Sequence, residues 1–225
     1  MISGEIDFPP AELASPEGLL AIGGSLTRER LISAYCRGIF PWYSEGEPVM
    51  WWSPDPRLVL YPEELRISRS LKKTIKKRLF RITMNRAFEQ VMAGCAGAKQ
   101  RNETGTWISP EMIDAYCDLH AAGYAHSVES WIDDELVGGL YGVSIGNCFF
   151  GESMFSIRSD ASKVAFVRLV EHLRCHSFRL IDCQVTTDHM IRFGAREISR
   201  KHFMKELSVA LDRKPINENG RRPNE

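Results

Sequence analysis

The chain has 225 residues, enough to bury a core without staples, as one large domain or as a small one plus a medium one. Its 44% apolar content is ordinary for a globular protein, and 29 basic against 29 acidic residues leave no net charge, so any nucleic-acid partner must show in how the charge is distributed. Six scattered cysteines form no C-x-x-C pair, Met1 to Pro10 holds acids and prolines and no apolar run, and no run of 18 uncharged apolar residues exists; the expectation is a cytoplasmic protein with reduced thiols, no signal peptide and no membrane span.

In chain order, the first 60 residues are rich in Pro, Gly and Trp and poor in periodicity, which sets them apart as a small N-terminal domain, 1–60, ahead of a larger one, 61–225. One helix is expected there, from Thr27 as N-cap to Cys36, with Gly38 just past its end. Trp42, Trp51 and Trp52, held between prolines, read as a rigid aromatic surface more than as a strand. From Arg66 to Arg86 there are nine basic residues and no acidic one. Arg69, Lys72, Lys73, Lys76 and Lys77 follow helical spacing along one face, leaving Leu71, Ile75 and Leu79 for the core. The next helix has Ser109 as N-cap, Pro110 in its first turn and Gly123 as its stop. Strands follow at Ala125 to Ile132, Glu135 to Ile145 and Asn147 to Ser153, with tight turns at Asp133-Asp134 and Gly146. Then come a helix from Ala161 to His176, a strand from Phe178 to Cys183, a helix from Arg200 to Leu211, and a polar tail from Asp212 that is expected to fray. The fold class is α+β, with helices packed on a mixed β-sheet.

Several motifs compete for the chemistry. Gly151-Glu-Ser153 has nucleophile-elbow spacing, but Phe155 stands where the elbow needs its second glycine, which argues against a serine hydrolase. Cys117 with His120, and His172 with Cys175, could in principle form a zinc site, yet both pairs have the i, i+3 spacing that helices use for packing. The uncompensated basic face is the expected footprint for phosphates. The tryptophans suit stacking on unpaired bases, or equally an inter-domain seam. Glu152 and Asp182 are carboxylates at strand ends, and Asp182-Cys-Gln184 offers a proton acceptor beside an orienting amide. Alone, either acid reads equally well as a cap or a hydrogen-bonded core acid.

Nine segments resemble, in order, the signature blocks of the leucyl/phenylalanyl-tRNA–protein transferase family. They are Gly18-Leu-Leu-Ala-Ile-Gly-Gly24, Ala34-Tyr35, Gly38-Ile-Phe-Pro-Trp42, Trp51-Trp-Ser-Pro-Asp-Pro-Arg57, Gly105-Thr-Trp-Ile108, Ala125-His-Ser-Val-Glu129, Leu136-Val-Gly-Gly139, Gly151-Glu-Ser-Met-Phe-Ser156 and Leu180-Ile-Asp-Cys-Gln184. The resemblance implies a GNAT-like (acetyltransferase-related) C-terminal domain. It implies transfer of Leu or Phe, and less well Met, from tRNA to a protein beginning with Arg or Lys, which marks that protein for N-end-rule degradation. By the same resemblance, Glu152, Asp182 and Gln184 lie at the reaction centre. Phe149, Met154 and Leu169 line the pocket for the transferred side chain, and Tyr35, Trp42, Trp107 and Tyr116 hold the terminal adenosine. On the charge pattern, not the resemblance, the tRNA backbone is expected at Arg69, Lys72, Lys73, Lys76 and Lys77. Two positions depart from the family pattern: Thr187 stands where Asn is common, and Leu169 where an aromatic residue is expected.

The donor is an ester and the product an amide, so the reaction runs downhill without ATP, and no metal or cofactor is called for. The attacking α-amine has a pKa of about 7.7–8.0, so a carboxylate suffices as acceptor for its proton. Asp182 with Gln184 is expected in that role, and Glu152 is expected to hold an amino group or to shape the site. Glu152, Asp182 and Asp188 are the carboxylates available to an incoming cation. The alternative on the same fold, an acyl-CoA acetyltransferase, lacks its pyrophosphate loop here. An RNA-binding module would leave Glu152 and Asp182-Cys-Gln184 without a role.

Overall fold

The computed structural model describes residues 7–97 and 108–211. Trp107 and the tail whose fraying was expected lie outside the described residues. Two β-sheets are present. The smaller pairs β1 (Leu19–Ile22), β3 (Met50–Trp52) and β2 (Phe40–Pro41) in that order. The larger has seven strands: β10 (Arg196–Ile198), β4 (Arg57–Leu60), β9 (Leu180–Gln184), β8 (Cys148–Ser156), β7 (Glu135–Ile145), β6 (Ala125–Ile132) and β5 (Arg81–Met84). All neighbours in it are antiparallel except β8 and β9. A parallel pair needs a crossover, and α5 (Ala161–Cys175) supplies it.

Four helices start at a capping side chain. In α1 (Arg28–Cys36) the Thr27 hydroxyl accepts from the Arg30 N–H, and in α4 (Pro110–Ala121) Ser109 accepts from Met112. Gly38, just past α1, has φ +69°, the left-handed conformation that ends a helix. In α2 (Arg69–Lys76) Ser68 caps Leu71. That helix stops at Lys76 and the chain turns through Arg78 at φ +52°, so Leu79 is exposed rather than in the core, and the rest of the basic stretch enters β5. The structure adds α3 (Phe88–Ala96), α6 (Asp188–Arg192), β1 to β5 and β10 to the elements expected, and α7 (Arg200–Leu211) matches its expected span.

The large sheet is buried on both faces. Alternation sends Tyr141 and Phe150 into a cluster with α1, α3, α4 and α7, and sends Leu140 and Phe149 into a second cluster with α2, α5 and α6. The first cluster also takes Phe40 and Trp51 from the small sheet, and β4 lies inside the large sheet between β10 and β9. Packing is therefore continuous across residue 60, where composition suggested a boundary. Trp51 is fully buried in a strand, its indole N–H on the Gly23 carbonyl at 2.9 Å, so it belongs to the core and not to an aromatic surface.

Candidate active site

β8 and β9 run side by side only from Cys148↔Leu180 to Phe150↔Asp182. β8 then continues to Ser156 while β9 ends at Gln184. A cavity of about 1150 Å³ opens beside the point of separation, with Gly151, Glu152, Cys183 and Gln184 in its wall. Both polar side chains sit at register slips. Across β7–β8, Tyr141 pairs with Ser153 and Gly142 with Gly151, so Glu152 is an extra residue. Across β4–β9, Leu58 pairs with Gln184 and Val59 with Asp182, so Cys183 is extra. The first slip is legible in packing. Phe150 and Phe155 join the same cluster although five apart, an odd interval that a regular strand cannot give.

Glu152 is half-buried and enclosed by donors. Tyr35 Oη donates to Oε1 at 2.7 Å, Gln184 Nε2 to Oε1 at 2.8 Å, and Tyr116 Oη to Oε2 at 3.2 Å. The two phenol oxygens also contact each other. Two phenolic protons then serve three oxygen–oxygen contacts, a shortage that a proton on Glu152 removes. Burial pushes its carboxyl up to about 7, against the hydrogen bonds from Tyr35, Gln184 and Tyr116. Burial, and then the Glu152 charge, raise both phenols well above 10.0, so they stay donors.

Asp182 is built into a different arrangement. It is fully buried, and Arg57 grips it with Nε on Oδ1 at 2.8 Å and Nη2 on Oδ2 at 2.6 Å. Oδ1 also accepts the Gln184 backbone N–H at 2.9 Å. The expectation that Asp182 takes a substrate proton meets a physical obstacle: both its oxygens are occupied, and it is not part of the cavity wall. Gln184 has φ +63°, a left-handed conformation that costs a non-glycine residue about 1–3 kcal/mol unless its surroundings hold it.

The expected pocket residues come together. Phe149, Met154 and Leu169 line the cavity with Leu140, Phe166 and Ile181. Trp42, 45% exposed, stands at its mouth, tilted against Trp52. Tyr35 and Tyr116, expected to hold the terminal adenosine, are fully buried and give their hydroxyls to Glu152. Thr187 lines the cavity and caps α6, its hydroxyl accepting from Met190 N–H. Asp188 is exposed beside it. Ser153 lies within β8, not on a strand-to-helix elbow. Burial raises the Cys183 thiol, which suits packing and not nucleophilic attack. Cys117 with His120, and His172 with Cys175, lie on helices that pack on opposite faces of the sheet, and among the described residues no three His, Cys, Asp or Glu side chains gather as metal ligands.

The comparisons with known proteins decide the family. The family model described as "Leucyl/phenylalanyl-tRNA protein transferase" matches residues 59–208, and that of its N-terminal domain matches residues 24–55. A leucyl/phenylalanyl-tRNA–protein transferase from Anaeromyxobacter sp. (strain Fw109-5) is 60% identical over 93% of this chain and 89% of its own length. One from Desulfatibacillum aliphaticivorans is 56% identical over 94% and 91%. The chain belongs to the leucyl/phenylalanyl-tRNA–protein transferase family.

It is an enzyme, an aminoacyltransferase of that family. The solved structure titled "The structure of L-PGS from Bacillus licheniformis" matches with a TM-score of 0.41 and 10% identity over 72% of this chain and 52% of that one, too loosely to carry an argument. Among the described residues no helix is long and apolar enough to cross a membrane. Reading the sequence as a family member left Arg57 without a role. Its signal was there: a cation opening the otherwise apolar strand Arg57-Leu-Val-Leu60 calls for a buried partner.

Proposed function

We propose that the enzyme transfers Leu or Phe, and less well Met, from its tRNA to the N-terminal Arg or Lys of an acceptor protein, in the cytoplasm, and so marks that protein for N-end-rule degradation. The GNAT-like frame is part of this reading, with the gap between the parallel strands β8 and β9 as its reaction centre. The observation that carries the chemistry is Glu152 on the cavity wall, held between two buried phenols and the Gln184 amide, with a pKa of about 7. A base poised there fits an amine of pKa about 7.7–8.0.

In the proposed mechanism the acyl side chain lies against Phe149, Met154 and Leu169, and Trp42 stacks on the terminal adenosine. The free α-amine attacks the ester carbonyl carbon, the C–N bond forms, and the bond to the ribose oxygen breaks. Glu152 takes the proton from the attacking nitrogen, and the departing ribose oxygen is protonated in turn. Proton acceptance passes from Asp182 to Glu152 because Arg57 occupies both Asp182 oxygens. Asp188, exposed next to two cavity-lining residues, is the carboxylate placed to meet the acceptor's cation. Holding both substrates together supplies up to about 7–11 kcal/mol without a covalent enzyme intermediate.

The test is transfer of labelled leucine from charged tRNA to peptides beginning with Arg, Lys or neutral citrulline. Arg and Lys peptides should accept and citrulline poorly, with the preference weakened in Asp188→Asn. Equal use of citrulline by the parent enzyme would remove the cation reading, and no transfer from leucyl-tRNA would remove the function.

A further inference from the structure

Arg57 has no exposed surface and is not among the residues lining the cavity. Its guanidinium lies between two rings, 4.8 Å from the Phe40 centroid on β2 and 4.6 Å from that of Phe203 on α7. The contacts run onward in one chain. Arg57 forks onto Asp182, Asp182 Oδ1 accepts the Gln184 backbone N–H, and the Gln184 side chain donates to Glu152. Gln184 needs this hold, since its left-handed backbone is one that L side chains rarely adopt.

We propose that Arg57 is the positioning residue of this active site: by clamping both oxygens of Asp182 it fixes the acceptor for the Gln184 N–H, and thereby aims the Gln184 amide at Glu152. The planar fork is essential, because a lysine offers a point charge without paired donors in a plane. The aromatic faces of Phe40 and Phe203 keep that plane in one orientation. This inference rests on the reading of Glu152 as proton acceptor. The titratable and charged groups facing Glu152 are Tyr35 from α1, Tyr116 from α4 and Asp182 from β9, with Arg57 of β4 behind Asp182; the neutral Gln184 amide completes its surroundings.

The experiment compares Arg57→Lys, Gln184→Ala and the double variant in steady-state transfer. In Arg57→Lys, kcat should fall about 10²-fold, the scale of a misplaced group, with KM for aminoacyl-tRNA nearly unchanged. Losing the amide donor disfavours the Glu152 carboxylate, so the acid limb of the pH–rate profile should move to higher pH in Arg57→Lys and in Gln184→Ala alike. The double variant should be little worse than Gln184→Ala, because both changes break one chain of contacts. An Arg57→Lys enzyme that loses activity only in proportion to its folded fraction, with its acid limb in place, overturns the proposal; so do losses that multiply in the double variant. If Gln184→Ala itself leaves the limb unmoved, the reading of Glu152 falls and the proposal with it. If Gln184→Ala moves the limb and Arg57→Lys does not, the proposal alone falls. Should Arg57→Lys fail to fold, Arg57→Met/Asp182→Leu replaces the buried pair by apolar groups, a change proteins often tolerate, and the same limb movement is required of it.

Discussion

Glu152 carries a stability cost that follows from its chemistry. Its folded-state pKa of about 7 lies above the ordinary 4.5, raised first by burial. Between those values the folded protein keeps a proton that the unfolded chain has released, so this group's contribution falls as pH rises through the window and stays low above it. Glu152→Gln should therefore melt near the parent's Tm at pH 5 and above it at pH 8, while transfer activity drops at least about 10²-fold, the low end of the general-base range. Melting curves at the two pH values check this; equal Tm differences at both would show that the carboxyl is not raised. The same residue marks what could be read ahead of the fold. Glu152 and Gln184 stood out in the sequence and both line the cavity, but the partners that hold them were not legible. In sequence Tyr35 and Tyr116 are only aromatics expected to hold the terminal adenosine, and it is the approach of α1 and α4 that turns their hydroxyls to one carboxylate.

At the scale of elements, local signals placed most helices and the β6–β7–β8 meander, because caps and turns act within three or four residues. They failed where a regular period breaks. The expected strand 147–153 stopped three residues short of Ser156, since the extra residue at Glu152 reverses which side chains face which cluster. The basic helix was legible too, though shorter than its charge run. Arg69, Lys72, Lys73 and Lys76 on α2, and Lys77 at its C-cap, are exposed, and among the described residues none of the five forms an ion pair. As the proposed tRNA-backbone face, it should respond to charge reversal. Lys72→Glu/Lys76→Glu should weaken tRNA binding at low salt and flatten the slope of log K against log salt by about 1.5–2. Filter binding over a salt series measures both, and an unchanged slope would place the tRNA elsewhere.

For the whole molecule, one apolar cluster joins Trp51 and Phe40 of the small sheet to α1, α3, α4 and α7, and Arg57 seats β4 between rings from β2 and α7. The two sheets should therefore unfold together: urea transitions followed by tryptophan fluorescence and by far-UV circular dichroism should coincide. Two separated midpoints would instead show that residues before Arg57 melt as a unit of their own. Composition and order of motifs were enough to determine the α+β class and the family, because each is encoded in short stretches. Tertiary structure alone decided that Asp182 faces Arg57 and stays out of the cavity wall. Those residues are 125 positions apart, and the order of strands, not any local spacing, brings a cation and a carboxylate into the same buried plane, where each must find the other.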